Sequence, residues 1–495
     1  MRAERDPYDS VAYPSVAHSQ THPDRLAAMA ILHGLTPAPV DQCRVLEIGC
    51  NDGANIIPMA YAIPASEFVG FDLAGLPIGR GQRRIRELGL NNARIFESDL
   101  LDAGNELGQF DYIIAHGLYA WVPEPVRERL MALCGELLTP NGIAFVSYNA
   151  LPGGHLRTMI RDMMLHGAKG VEDPKERVSG GLGFLHFLLE SRPEGDAYRQ
   201  LIEEHLNWLE KRNPQVTYHD ELGDVYRPVY FTEFADHARR HGLQYLSEAE
   251  LPQPDDPCYR PEMRSALESA ASGDILKQEQ ILDFARMRGY RETLLCREDR
   301  VVCRNFIAEN LRRLLLASPA TSTPGEAPGA KGFRLPDGSN LQSNHAGAIA
   351  LMGELEAAWP RSLSFEEIEP RMKEAGIGLD EAGIELLMQL AAAKMVELHA
   401  WRAPVASHVS DRPRASACSR QEALTRECAT TLLHENVGLD DPVVRSLLML
   451  LDGARDRKAI LEAMKAVFPS MPEQGIEAGI GPGLRLFHRA GLFEA

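Results

Sequence analysis

The chain has 495 residues, 44% of them hydrophobic and 25% charged, with a formal net charge of −18. That length divides into two or three domains of globular composition, and the acidic balance, with no local basic patch, excludes a nonspecific phosphate-binding surface. Eight cysteines without a C-x-x-C pair exclude a disulfide framework or a zinc knuckle and predict reduced thiols.

The amino end, "MRAERDPYDSVAYPS", has no apolar core behind its charges, and no run approaches the ~18 apolar residues of a membrane span, so a cytoplasmic protein is expected. From about residue 43 to 148, short apolar runs alternate with amphipathic stretches, the rhythm of a parallel α/β sheet. The runs are "RVLEIG" ending at Gly49, "EFVGFD" at Asp72, "ARIFESD" at Asp99, "FDYIIAHG" at Gly117 and "GIAFVSYN" at Asn149. Between them "PIGRGQRRIRELGL" and "PEPVRERLMALCGELL" have helical spacing. From about 155 to 225 the pattern is helical, and in "AYRQLIEEHLNWLEKR" Tyr198, Leu201, Ile202, Leu206 and Leu209 share one face.

The α/β rhythm resumes in "YFTEFADHARRHGLQYLSEAEL", a helix, a stop at Gly242 and a strand, and in "YRETLLCRED"; these are expected to be the last strands of the same sheet. "SPATSTPGEAPGA", rich in Pro, Gly, Ser and Thr, reads as a linker. Beyond it two segments echo each other, with Gly383-Ile384-Glu385 matching Gly475-Ile476-Glu477, each opening a helix that follows a shorter one ("SFEEIEPRM", "DRKAILEAM"). A duplicated module of winged-helix type is predicted, and its many acids point to protein contact rather than nucleic acid. The expected division is a Rossmann-like core with an amino-terminal lid (1–152), a helical middle part carrying the last strands (153–317), a linker (318–331) and the duplicated module (332–495).

The glycine-rich turn after the first strand carries an acid, Glu47, two residues before its first glycine. A dinucleotide site puts pyrophosphate against such a turn, where a carboxylate would repel it. A ligand with a cationic amino-acid end and no phosphate has the opposite preference. S-adenosyl-L-methionine (SAM) is such a ligand, with a positive ammonium and sulfonium. Asp72, about twenty residues on, closes the second strand where a carboxylate accepts ribose hydroxyls.

The spacing Glu47-Ile48-Gly49-Cys50-Asn51-Asp52-Gly53 resembles the first motif, E/D-x-G-x-G-x-G, of the class I SAM-dependent methyltransferases, with Asn51 in place of the middle glycine. Asn tolerates positive φ better than other residues with side chains, so the turn is expected to survive. The resemblance implies that Asp99 contacts the adenine amino group. The flanking "YPSVAHSQTHPDRLAAMAILHG", "AHGLYAWVP", "VSYNALPGG" and "QILDFARMRGYRETLLCR" resemble, over nearly the whole chain, the bacterial methyltransferases with a methyltransferase regulatory domain. That group includes lysine methyltransferases acting on outer-membrane proteins.

The cofactor-binding candidates are Glu47, Gly49, Cys50, Asn51, Gly53 and Asn55 in the turn, Asp72 and Leu73 after the second strand, Asp99 and Leu100 after the third, and His116 and Gly117 after the fourth. By the resemblance, Tyr13, Gln20, Thr21 and His22 close over the cofactor. The catalytic candidates are His116 as proton acceptor, Tyr119, Trp121 and Tyr148 as walls of an aromatic channel that holds a methylated cation, and Asn149 beside them. His219 and Asp220 either point into the site or cap a helix. No metal is expected, since His18, His22 and His33 lack ligand spacing. The expected activity is methyl transfer from SAM, leaving S-adenosyl-L-homocysteine, to a protein lysine; a small-molecule amine or hydroxyl acceptor, or a noncatalytic SAM-binding scaffold, is also compatible with these residues.

Overall fold

The computed structural model describes residues 11–252, 261–374, 376, 378 and 380–495; residues 1–10 of the amino-terminal segment and Cys258 lie outside them. A seven-stranded sheet organises the chain: β1 (Arg44–Ile48), β2 (Glu67–Asp72), β3 (Ala93–Glu97), β4 (Phe110–Ala115), β5 (Leu138–Asn149), β6 (Leu243–Glu248) and β7 (Tyr290–Arg297) lie in the order β3-β2-β1-β4-β5-β7-β6. Strands β1 to β5 pair in parallel, and β7 runs antiparallel between β5 and β6. The predicted late strands therefore belong to the same sheet, separated from β5 by helices between Gly153 and Leu222. Strand order reverses beside β1, so a crevice opens at the carboxyl ends of β1 and β4.

The sheet is covered on both faces, which is why its central strands read as apolar runs rather than alternations. One face packs Leu130, Leu133 and Leu137 of the helix Glu124–Leu137 and Phe234 and Ala238 of the helix Phe231–Arg240 against Leu46, Ile113 and Val146. The other packs Val45, Ile114 and Phe145 against Leu26 and Ile31 of the helix Pro23–Leu32, and the same core continues into Leu316, Leu351 and Leu387 of the carboxyl half. The carboxyl half is thus built onto the sheet, not tethered to it. Among the described residues no helix is long and apolar enough to cross a membrane.

The segment expected as a linker is structured. Thr321–Pro324 forms an edge strand that pairs antiparallel with Lys331–Arg334, and Ser318 and Ala320 are buried. Its backbone hydrogen bonds, rather than apolar burial, hold it in place, so composition alone hid it. The strand Leu315–Ala317 just before it is the middle strand of a three-stranded sheet, paired with Leu363–Ser364 and Glu397–His399. Nearer the carboxyl end Arg414 is bridged to Asp452 and Ala415 to Phe493 around the helices Pro442–Leu450, Arg457–Val467 and Glu473–Arg489.

A buried ionic network joins the first helix to the carboxyl half. Asp24 accepts hydrogen bonds from the backbone N–H groups of Ala400 (2.6 Å) and Trp401 (2.7 Å), and its other oxygen lies 2.6 Å from His399 Nδ1. Burial alone would raise the Asp24 pKa, but the charge and hydrogen bond of His399 outweigh it and hold the carboxyl below its ordinary value. Burial opposes protonation of His399 as well, and Asp24 overrides it, raising the imidazole pKa. Asp24→Ala would strand a buried imidazolium and is expected to lower stability by about 3–5 kcal/mol, read from the denaturant midpoint. In the wild-type protein the Asp24 contribution is complete above the ordinary aspartate pKa of 3.8 and lost as pH falls through the depressed folded value; the His399 contribution is complete below 6.5 and lost as pH rises through its raised value.

Candidate active site

The turn between β1 and the helix Ile56–Ala62 is built on three left-handed residues, Gly49 (φ 77°), Asn51 (φ 48°) and Gly53 (φ 72°). Asn51 thus does what the missing glycine would do. Asp72 orients this turn: one carboxylate oxygen accepts the Asn51 N–H at 2.8 Å and the other the Ala74 N–H at 2.9 Å. Asp99, two residues beyond β3 and half-buried, accepts the Leu101 N–H at 2.9 Å. Leu73 and Leu101 expose their side chains beside these two acids, whereas Leu100 is buried in the core.

Glu47 is buried below the turn, and one of its oxygens accepts from Asn55 Nδ2 at 2.8 Å while the other, Oε2, has no hydrogen-bond partner. Burial pushes its carboxyl up to about 8; the Asn55 amide opposes this push and the negative charges of Asp72 and Asp52 add to it. Asn51 Oδ1 is likewise buried without a donor, and so is Asn149 Oδ1 at the end of β5. Three orphaned acceptors near the ends of β1 and β5 fit a ligand that brings N–H donors and positive charge, as an amino-acid ammonium does, and do not fit a pyrophosphate.

Asn55 is the junction of three segments. Its Oδ1 accepts from the His18 backbone N–H (2.8 Å) and from His434 Nε2 (2.9 Å), and its Nδ2 also donates to Thr21 Oγ1 at 3.0 Å. The amino-terminal segment is strapped along its length: His219 Nε2 donates to the Val11 carbonyl, Tyr13 Oη to Asp220, Arg426 to the Ser15 carbonyl and Asn436 to the Ala17 carbonyl. Arg426 also pairs with Asp52 of the turn at 2.7 Å. Neither Arg426 nor His434 was legible beforehand, because each reaches the turn from the carboxyl half, some 374 and 379 positions away.

His219 and Asp220 are not a helix cap. Asn213 caps the helix Pro214–Leu222, and the pair sits in its last turn, with Asp220 bound to Arg157 and Arg212. Tyr119 and Tyr148, expected to line a channel, are instead buried in the core: Tyr148 stacks on Phe234 at 4.1 Å, and Tyr119 meets Phe234 edge-on and lies 2.8 Å from His237 Nδ1. Large aromatic rings on β5 and just after β4 fill the gap under the helix Phe231–Arg240, and sequence spacing could not show that helix above them. His116 packs against His18 at 3.9 Å between ring centroids and lies 3.2 Å from Ser147 Oγ. Burial, with His18 beside it, pushes its pKa down to about 3, so it is neutral at physiological pH and far too weak a base for the role expected of it. Gly117 donates its N–H to the same Ser147 hydroxyl at 2.7 Å.

Trp121 alone of the predicted aromatics stands at a half-buried wall. The segment Tyr226–Val229 crosses the strand ends there, its Arg227 N–H bonded to the Ala120 carbonyl and its Val229 N–H to the Asn149 carbonyl. This lays Tyr226 5.0 Å from Trp121, with Arg157 and Arg161 over both rings. The Tyr226 hydroxyl and Arg161 Nη1 are buried without partners. Tyr226, Arg157 and Arg161 lie in nonperiodic or helical text that gave no sign of this meeting. Since Asn51 carries the turn in a left-handed conformation, Asn51→Gly is expected to keep the melting temperature, whereas Asn51→Val costs about 1–3 kcal/mol, visible as a lowered melting temperature.

Three family matches follow this layout. Residues 46–144 match a methyltransferase domain, residues 213–297 the predicted methyltransferase regulatory domain, and residues 411–470 the PKMT C-terminal winged helix domain. The chain is 30% identical over 479 residues to protein RP789 of Rickettsia prowazekii, covering 93% of this chain and 86% of the relative. It is 31% identical over 240 residues to protein RP028 of the same organism, covering 48% of this chain and 96% of the relative. The structure of PKMT2 from Rickettsia typhi in complex with AdoHcy shares the fold, with a TM-score of 0.87 at 23% identity over 97% of this chain and 99% of that one. With its sheet order, its acid-lined turn and relatives that span nearly its full length, the chain belongs to the class I SAM-dependent methyltransferases that carry a methyltransferase regulatory domain.

Proposed function

We propose that this enzyme N-methylates lysine side chains of a protein substrate in the cytoplasm, an outer-membrane protein met before export being one candidate. The observation that carries the reading is the wall of Trp121 and Tyr226 backed by Arg157 and Arg161, beside the buried, donorless Asn149 Oδ1. The match of residues 411–470 to the PKMT winged helix domain supports it.

Glu47, Gly49, Cys50, Asn51, Gly53 and Asn55 would hold the amino-acid end of SAM, Asp72 and Leu73 the ribose, and Asp99 the adenine. His116 and Gly117 border the sulfonium side, with Tyr13 and Thr21 in the strap above. When bound, SAM supplies an electrophilic methyl on a sulfonium. The chain's own residues must then deliver a neutral amine, aim its lone pair and exclude water. Lysine has a reference pKa of about 10.4, and burial beside the Arg161 guanidinium disfavours its ammonium form. Asn149 Oδ1 would accept one amine N–H and so direct the lone pair. With His116 neutral and weakly basic, the lysine proton leaves to solvent before the amine enters.

A second reading, a small amine as acceptor, is favoured by one observation: the strap from Val11 to Thr21 is bonded at several points across the crevice, as a lid over a small ligand would be. Incubating the enzyme with methyl-labelled SAM and a bacterial lysate separates the two. Label on protein lysines supports the proposal, and label confined to the small-molecule fraction refutes it.

Calorimetry tests the cofactor assignment. Asp72→Ala is expected to weaken SAM and S-adenosyl-L-homocysteine by about ten- to a hundredfold, the loss of hydrogen bonds to a charged acceptor. NADH should not bind. Because Glu47 titrates near 8 in the free protein and a cationic ligand favours its ionised form, SAM binding at pH 7 should release a proton and tighten as pH rises from 6 to 8. Unchanged affinity over that range would remove Glu47 from the ammonium site.

A further inference from the structure

One cluster of metal-ligating groups among the described residues lies outside the cofactor crevice. Glu128, on the helix Glu124–Leu137, and His237 and His241, at the end of the helix Phe231–Arg240, bring a carboxylate oxygen and two imidazole nitrogens within 4.8 Å of one another. The two histidines are four residues apart and so project from one helical face. His237 Nε2 lies 3.0 Å from one Glu128 oxygen and His241 Nε2 2.8 Å from the other. The two helices reach this separation because residue 135 is glycine: a Cβ there would stand 2.3 Å from the His241 carbonyl oxygen.

The state of His237 points to a ligand. The residue is 6% exposed, and among the described residues its Nε2 makes no well-aligned hydrogen bond, only the 3.0 Å ion-pair contact with Glu128. Its other nitrogen, Nδ1, lies 2.8 Å from the Tyr119 hydroxyl. With the proton on Nδ1 donated to Tyr119, Nε2 turns a bare lone pair towards Glu128 and His241. Metal-bound histidines are held by this kind of outer hydrogen bond.

We propose that Glu128, His237 and His241 bind a divalent transition-metal ion of the zinc type. Two imidazoles and one carboxylate suit Zn2+ or Co2+ and not the oxygen-seeking Mg2+ and Ca2+. A tetrahedral shell with bonds of ~2.0–2.1 Å sets donor atoms about 3.4 Å apart, so the three donors, now within 4.8 Å of one another, must draw together until both imidazole nitrogens face a single Glu128 oxygen. The half-exposed Glu128 side leaves the fourth position to water. Bound there, the ion cross-links the methyltransferase sheet, which contributes Glu128, to the regulatory segment, which contributes both histidines.

The test uses the full chain stripped with a chelator and titrated with Co2+, followed by displacement with Zn2+. One Co2+ per chain is expected, with the visible spectrum of a tetrahedral nitrogen and oxygen site. Glu128→Gln and His241→Ala, both on the open side of the cluster, should each weaken Co2+ binding by about tenfold or more while the circular dichroism spectrum and SAM affinity stay as in the wild type. If His241→Ala fails to fold, Glu128→Gln decides alone. Absence of Co2+ binding by the wild-type chain, a thiolate-to-metal charge-transfer band placing the ion on cysteine, or undiminished binding in the variants would each overturn the assignment.

Discussion

A carboxylate buried where a single amide reaches it is the constraint around which this molecule is arranged. Glu47 cannot be ionised cheaply below the turn, and among the described residues Asn55 is the one side chain that donates to its carboxylate. Asn55 in turn holds the backbone of the amino-terminal strap and the His434 imidazole of the carboxyl half. The glycine-rich turn, the amino-terminal strap and the carboxyl half therefore share one polar junction. A cationic ligand that lets Glu47 ionise strengthens the acceptor to which Asn55 donates, and through it bears on both attached segments.

The regulatory segment is structural as well. It supplies β6 and β7, so the sheet is incomplete without it, and it lays Tyr226 across the ends of β4 and β5. Its helix Phe231–Arg240 also explains the fate of Tyr119 and Tyr148, whose rings fill the space beneath it. The carboxyl half joins in from the opposite face through a continuous core and the Asp24–His399 network. One accessory part thus supplies Tyr226 beside Trp121, and another braces the glycine-rich turn after β1.

The features legible beforehand were the local ones. Glu47, Asp72 and Asp99 could be placed because each lies at or within two residues of a strand's carboxyl end, and the apolar runs that mark those strands are contiguous in the chain. Asn51 could be read as a left-handed residue from its chemistry and its place between two glycines, and φ 48° agrees. The repeated Gly-Ile-Glu suggested a duplication, yet the two helices bury different positions of it, Gly383 and Leu387 in one and Ile476 and Ile480 in the other. The edge strand Thr321–Pro324 did not show, since polar residues paired through their backbones leave no hydrophobic period to read.

By itself, then, the amino-acid order determined the sheet, its acid-bearing turn and the class of ligand that turn accepts, since periodicity and charge are properties of neighbouring residues. Tertiary structure alone decided that Tyr119 and Tyr148 fill the core while Trp121 stays half-buried, why His116 stays neutral, and how Arg426 and His434 come to brace a turn some 374 and 379 positions away from them in the chain. Those outcomes depend on burial and on encounters between distant segments, and a linear pattern carries neither.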